Sequence, residues 1–524
     1  MRITNNMILH NTTKNISGNK VNVDALNNQM TSQKKIQRPS ENPVIAIRAL
    51  RLRSTLSEID QYYENNIPDA ESWLDITDKT ILNIISIITD VRTQCTSGAN
   101  DPLTEEDRNT ILTQLEKLSS QIYSEGNAEY AGRTIFTGYR TNQTLTFMEN
   151  DSDIAYDIEQ KFSFSDLREH RYYSDEVTVP NTSADVLNTA AISNPKEGTF
   201  ERVRLDYGKI DYLVASDGTQ LDGTTNTNGN IDYTDADGNV LGSVNVTVYE
   251  TLEEWAAAGA NNTYEIDETG GPGGVFIRET GELILGKDAA SEIKDNKANL
   301  ELNYSKTGFD KGEVRPEFYF NCTDKTVAGQ PVEYIKFDAD GNEIYQDINY
   351  VVATGGQTLT VNTHASKVLD ASLGRDVSEM IEAVRFAIDA NDKVKKLEEM
   401  QKMEQYSDDY SQAALESWLT AAKKERDYAD DNMQKLYNSY IGDCDKYLEM
   451  ANLAHTDVGS KGVSLALTKN RMENQQTTVE TLKSTNEDRE LSDIIIDYTS
   501  AYTAYEASLQ AAAKVNQNTL LNFI

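Results

Sequence analysis

The chain has 524 residues, 38% of them apolar, with a net charge of −36 and a mean hydropathy of −0.58. That charge excludes nucleic acid as a partner, because phosphate binding needs clustered Lys and Arg. No run approaches the ~18 consecutive apolar residues of a transmembrane helix, so no membrane partner is expected.

The charge is uneven. Residues 1–55 hold nine basic residues against Asp24 and Glu41, a local excess that fits a basic face meeting an acidic face of a neighbouring subunit. Residues 4–36 are compatible with helix, but the stripe of Met7, Val23, Leu26 and Met30 is thin and diluted by Asn and Thr. Arg38-Pro39-Ser40-Glu41-Asn42-Pro43 breaks it, with Asn42 as N-cap and Pro43 at the first position of the next helix. Leu56, Ile59, Tyr63, Ala70, Trp73, Thr77, Ile81, Ile84, Ile88, Val91 and Cys95 then hold the spacing of a coiled-coil or bundle seam. Pro68 falls inside it and is expected to kink or briefly break the helix. Thr104 with Asp107 predicts a capping box, followed by the stripe Ile111, Leu115, Leu118, Ile122 and an αα-hairpin.

Residues 130–147 switch to strand-like composition and predict a β-hairpin. Further hairpins are expected at Val275–Leu285 around Glu279-Thr280-Gly281 and at Glu333–Tyr350 around Asp338–Asn342. Residues 216–230 read as a flexible loop and Gly270–Gly274 as a linker. Helix returns near Val377 and runs through Met380, Val384, Leu415, Met433, Tyr440 and Leu448, loosened at Gly459 and Gly462. A last helix carries Val479, Leu482, Leu491, Ile494, Ile495, Tyr498, Tyr502, Tyr505, Leu509, Ala512 and Val515, and the chain closes on Leu520-Leu521-Asn522-Phe523-Ile524. Burial of that thin apolar set falls short of the entropy of ordering the helix, so the terminal helices are expected to fray in a monomer and fold on assembly.

The fold class is therefore multidomain α + β: a discontinuous long-helix bundle or coiled coil drawn from both termini, split by a β-rich insertion. Three regions are expected. Residues 1–40 with 490–524 form a terminal coiled-coil assembly domain. Residues 41–149 with 372–489 form a helical core that includes the 130–147 hairpin. Residues 150–371 form an outer domain of one or two subdomains.

Little in the chain points to catalysis. His10, His170, His364 and His455 form no metal-ligand spacing, and no nucleophile elbow or phosphate-cradling loop occurs. Asp235–Asn239 and Asp338–Asn342 lack the first and twelfth ligands of a calcium loop and read as hairpin turns. Cys95, Cys322 and Cys444 give neither a zinc pattern nor a disulfide framework. No catalytic residue, metal or cofactor is expected, and residues 1–20 show no secretory apolar core. The expected site is a subunit interface on the terminal stripes: Met7, Val23, Leu26, Met30, Leu491, Ile494, Ile495, Tyr498, Tyr502, Tyr505, Leu509, Ala512, Val515, Leu520, Leu521, Phe523 and Ile524.

Three segments carry a resemblance. Met-Arg-Ile-Thr-Asn-Asn-Met7, then Arg38–Pro43, then Gly132-Arg-Thr-Ile-Phe-Thr-Gly-Tyr139, are similar to the hook-associated protein 3 family, the flagellin-like hook–filament junction proteins of the bacterial flagellum. Leu491–Ile524 resembles the flagellin-type terminal helix. The resemblance covers about residues 1–150 and 375–524, and where flagellins have an Ala-Lys-Asp-Asp-Ala-Ala type sequence this chain has Arg-Pro-Ser-Glu-Asn-Pro. It implies a structural adaptor that is extracellular, is exported without a cleaved signal and templates flagellin. Its implied partners are copies of itself, another hook-associated protein, flagellin and an export chaperone. The alternatives are a divergent flagellin that builds the filament, or a secreted coiled-coil adhesin or effector.

Overall fold

The computed structural model describes residues 5–100, 103–260, 262–338 and 341–517. The chain divides into two compact units, Met1–Ser72 with Asn349–Leu359 and Gly462–Ile524, and Trp73–Ile348 with Thr360–Lys461. Its α-helices are α1 (Asn5–Ser32), α2 (Pro43–Asp60), α3 (Ile67–Gly98), α4 (Glu105–Gly126), α5 (Ser183–Leu187), α6 (Leu252–Ala258), α7 (Lys287–Asp295), α8 (Leu373–Lys402), α9 (Asp409–Glu487) and α10 (Leu491–Gln517). Long helices at both termini thus flank a β-rich middle.

The expected helix starts are present. Asn42 Oδ1 accepts from the amides of Val44 and Ile45 at 3.1 and 3.3 Å, with Pro43 opening α2. At α4, Thr104 Oγ1 accepts from Asp107 N at 3.2 Å and the Asp107 carboxylate accepts from Thr104 N at 3.0 Å. Pro68 does not break its helix. The turn before it, Gln61–Asn66, widens into a π-turn, and Ile67 N–H bonds to Tyr62 O. The wider ring takes up the missing proline donor and the crowding of the preceding carbonyl.

Three other helix expectations and one hairpin expectation need correction. The run from Val377 is two helices, because Asp408 Oδ2 caps α9 at Ser411 N (2.8 Å) and Tyr406 is buried in the turn between them. Gly459 and Gly462 do not interrupt α9, which runs unbroken for 79 residues. At about 1 kcal/mol each, helical glycines cost too little to break a packed helix. A break comes instead at Asp488–Glu490, where tertiary bonds described below replace helical ones. Residues 130–147 hold only the short hairpin β1 (Glu129–Tyr130) and β2 (Arg133–Thr134), turned by Ala131 and Gly132 at φ 51° and 74°. The rest is irregular and anchored by buried Ile135, Phe136, Leu145 and Phe147.

Among the described residues, strands β3 (Asp151–Ser163), β4 (Arg168–Ser174), β5 (Lys196–Arg204), β6 (Tyr212–Val214), β7 (Gln220–Leu221), β8 (Asn228–Thr234), β9 (Val240–Tyr249), β10 (Gly273–Ile277), β11 (Glu282–Leu285), β12 (Asn299–Phe309), β13 (Asn321–Asp324) and β14 (Val332–Tyr334) form one twelve-stranded sheet. Its path is β14-β13-β3-β12-β8-β9-β10-β11-β5-β4, with β6 and β7 off it, and the β9–β10 pair is parallel. The β10–β11 hairpin matches the sequence reading. Gly273 and Gly274 belong to β10 and are not linker; a Cβ on Gly273 would stand 2.3 Å from Asp267 O. Residues 216–230 are tied down, with Asp222 Oδ1 accepting the amides of Thr224, Thr225 and Asn226. The expected hairpin around Asp338–Asn342 shrinks to one bridge, Phe337 to Glu343, because Asn321 Oδ1 captures the Lys336 and Phe337 amides; residues 339–340 lie outside the described residues. A separate hairpin, β15 (Asn349–Ala353) with β16 (Gln357–Thr360), follows.

Within the second unit the seam of α3 is buried from Trp73 through Thr77, Ile81, Ile84, Ile88 and Val91 to Cys95. The sheet is held to α8 and α9 by buried charge. Glu379 accepts Arg202 Nη2 at 2.5 Å, Arg204 Nη1, and Tyr440 Oη at 2.7 Å, while His170 Nδ1 lies 3.4 Å away. Arg204 also pairs with Asp376, and Arg202 with Glu282 at 2.5 Å. The two guanidinium groups outweigh burial and hold Glu379 well below the carboxylate range.

Two titratable groups of the second unit make stability depend on pH with opposite signs. Burial and the charge of Asp370 push Asp206 up to about 8, so the native chain holds a proton there that the unfolded chain loses near 4. Stability therefore falls as pH rises from about 4 to 8. Burial and Arg202 lower His170 to about 4, against an ordinary value of 6.5. There the unfolded chain binds the extra proton, and stability rises with pH through that lower window. Above about pH 6.5 Asp206 acts alone of the two. Asp206→Asn is expected to flatten the loss of the urea midpoint between about pH 6.5 and 8; an unchanged slope would remove Asp206 as its source.

Candidate assembly surface

The terminal helices α1 and α10 lie antiparallel in the first unit, with Asn19 Nδ2 donating to Ala504 O at 3.4 Å. Along α1 a half-buried line runs through Thr12, Ile16, Asn19, Val23, Leu26 and Met30, joined near its end by Asn28 and Gln29. On α10 the matching line is Ile494, Tyr498, Ala501, Tyr505, Ser508 and Ala512, with Ile494 fully buried. Both lines alternate steps of four and three, the spacing of a two-helix seam. Hydroxyls too polar for a core are accommodated within α1: Thr12, Thr13, Thr31 and Ser32 donate to carbonyls four residues back.

Where the two helices begin their pairing, a charged clasp replaces a loop. Arg53 binds both oxygens of Glu487 at 2.8 and 2.6 Å, Lys34 adds a contact at 3.5 Å, and Lys34 also pairs with Asp488. The Arg53 hydrogen bond keeps the Glu487 carboxyl below its ordinary range. Backbone bonds complete the clasp, from Lys35 N to Glu487 O at 2.7 Å and from Arg489 N to Gln33 O at 3.0 Å. Gln33 takes φ 54° to end α1. Glu41 Oε2 accepts Gln37 N at 2.8 Å, so Arg38–Pro43 is a fixed turn into α2.

The residues expected at a subunit interface fall into two sets. Val23, Leu26, Met30, Ile494, Tyr498, Tyr505 and Ala512 lie on the half-buried or buried line within the chain. Met7, Leu491, Ile495, Tyr502 and Leu509 are exposed. Leu520, Leu521, Phe523 and Ile524 lie outside the described residues, as does the side chain of Val515. Beside Ile495 the exposed set extends to residues that the stripe reading missed, Ile496 on α10 among them. Ile495 and Ile496 are 47% and 66% exposed and border a shallow apolar groove with Thr499, Thr503 and Ala507. On α2, Val44, Ile47 and Leu50 are exposed beside Arg48 and Arg51, an apolar and basic face. The local excess of basic residues was the available signal for it. Among the described residues no group of His, Cys, Asp and Glu side chains could hold a metal ion, and no helix is long and apolar enough to cross a membrane.

Residues 3–141 match the bacterial flagellin N-terminal helical region. The chain is 24% identical over 142 residues to flagellar hook-associated protein 3 of Salmonella typhimurium, a match spanning 27% of this chain and 44% of that protein. It is 23% identical over 150 residues to the Escherichia coli protein of the same name, spanning 28% of this chain and 47% of that protein. The chain thus spans less than half the length of these curated relatives. Its structure overlaps that of flagellar hook-associated protein 3 from Legionella pneumophila with a TM-score of 0.22 and 11% identity, over 81% of this chain and 98% of that one. On the sequence matches, residues 3–141 are similar to the flagellin N-terminal helical region, and the chain is similar to flagellar hook-associated protein 3.

Proposed function

We propose that this chain is a structural subunit of the bacterial flagellum, an adaptor at the junction of hook and filament. The observation that carries this reading is the match of residues 3–141 to the flagellin N-terminal helical region, together with relatives named hook-associated protein 3. The exposed apolar faces of α10 and α2 support it, since contiguous exposed apolar faces are positions for a partner. Residues 1–40 with 490–524 act as the assembly region, residues 41–149 with 372–489 as the helical core, and residues 150–371 project outward. Copies of the chain form a ring through the terminal helices, whose folding completes on assembly. One face of the ring meets another hook-associated protein and the other templates flagellin. The chain travels to the cell exterior unfolded, guided by a chaperone and without a cleaved signal.

The match to the flagellin region also favours a second reading, a divergent flagellin that builds the filament. Deleting the gene separates the two. Bare hooks with monomeric flagellin in the medium are the expected result. Bare hooks with no flagellin anywhere would make this chain the filament subunit, and normal filaments would overturn both readings. A truncation lacking the last six residues is expected to stay soluble and fail to join the structure; normal incorporation of it would remove the C-terminal segment from the interface.

A further inference from the structure

Cys95 and Cys444 are 349 residues apart, yet they face each other in the second unit where α3 packs antiparallel on α9. Contacts on both sides fix that register. Arg92, one turn before Cys95, donates to both carboxylate oxygens of Asp445, next to Cys444, at 2.6 and 3.4 Å. Towards the other end, Gln434 Nε2 donates to Ala99 O at 3.0 Å, and a Cβ on Gly98 would stand 2.7 Å from the Tyr437 ring. Farther back, His455 Nε2 lies 3.0 Å from Asp78. That register sets Cys95 opposite Cys444, and the Cys95 Sγ lies 3.2 Å from Met380 Sδ on α8. Both cysteines are buried, and Cys322 is on a strand of the sheet.

We propose that Cys95 and Cys444 are a latent dithiol that closes into a disulfide joining α3 to α9. The oxidant is a small-molecule disulfide such as oxidised glutathione. One protein thiolate attacks it, forms a mixed disulfide and releases one glutathione thiolate. The second protein thiolate then attacks the cysteine sulfur of that mixed disulfide and releases the other. Two protein thiols and one glutathione disulfide become one protein disulfide and two glutathione thiols. The hydrogen bond to Cys444 and burial push the Cys95 thiol far above the usual range, so the closed seam offers no attacking thiolate. Exchange therefore proceeds while the seam is open, as the chain folds, and the bridge is then sealed inside the bundle.

The test is to refold the full chain from denaturant in a glutathione redox buffer, then denature it, alkylate free thiols and map tryptic peptides by mass spectrometry. The expected result is a monomer lighter by about 2 Da, one alkylated thiol at Cys322, and a cross-linked peptide pair containing Cys95 and Cys444. Folded chain given the same buffer should oxidise more slowly than refolding chain. A Cys322→Ser variant should show no free thiol after the same treatment. Three alkylated thiols in the refolded wild-type chain, a bridge to Cys322, or a disulfide-linked dimer would each overturn the proposal. The wild-type peptide map decides the matter even where the Cys322→Ser variant folds poorly.

Discussion

Glu379→Ala is expected to lower the stability of the second unit by about 3–5 kcal/mol, the cost of leaving a buried charge without its partner. The loss does not stop at one ion pair. Glu379 accepts from Arg202, Arg204 and Tyr440, and Arg204 keeps only Asp376 as a carboxylate when Glu379 is gone. Arg202 keeps Glu282. Two guanidinium groups then share fewer acceptors in a site from which water is largely excluded. Urea unfolding followed by tryptophan fluorescence measures this, since Trp255 and Trp418 are buried in that unit. A loss under about 1 kcal/mol would mean that the arginines reach water on their own, as exposed pairs do.

The second large effect separates the two faces of α10. Ile494 is buried against α1, so Ile494→Ala should cost about 2–5 kcal/mol in the local stability of the paired terminal helices, read by amide exchange in α1 and α10. Ile495 and Ile496 face outward, so their double alanine variant should leave that exchange almost unchanged. Its effect appears on assembly. Half-exposed isoleucines that become covered contribute together about 2–3 kcal/mol per contact, or about 30- to 150-fold in affinity. On the proposed ring of copies, that loss should abolish junctions seen by electron microscopy and motility on soft agar. Normal junctions from the double variant would place the interface elsewhere.

The helix starts were legible because each rests on a local rule: an Asx side chain with proline after it at Asn42-Pro43, a reciprocal cap at Thr104 and Asp107. The Val275–Leu285 hairpin was legible for the same reason, its turn chemistry sitting between two β-rich runs. What failed to show was set by distant residues. The break at Asp488–Glu490 contains neither Gly nor Pro; it follows from Lys35 N and Gln33 O taking the backbone bonds of Glu487 O and Arg489 N that would otherwise be helical. The interface stripe on α10 was ambiguous in a specific way. Ile494, Tyr498, Ala501, Tyr505, Ser508 and Ala512 form one seam, and Ile495, Tyr498, Tyr502, Tyr505, Leu509 and Ala512 form another with equally regular spacing. One residue turns a helix by 100°, so these seams share tyrosines yet face different neighbours. Only the partner helix decides between them, and α1 takes the first.

A helix that carries Gly442, Gly459 and Gly462 with open space where each Cβ would stand keeps heat tolerance in reserve. Alanine at each position would add about 0.5–1 kcal/mol by narrowing the unfolded ensemble, with no new contact required. A lineage moving to warmer surroundings could harden α9 by point changes alone, while leaving the sheet, the charged clasp and the exposed faces as they are.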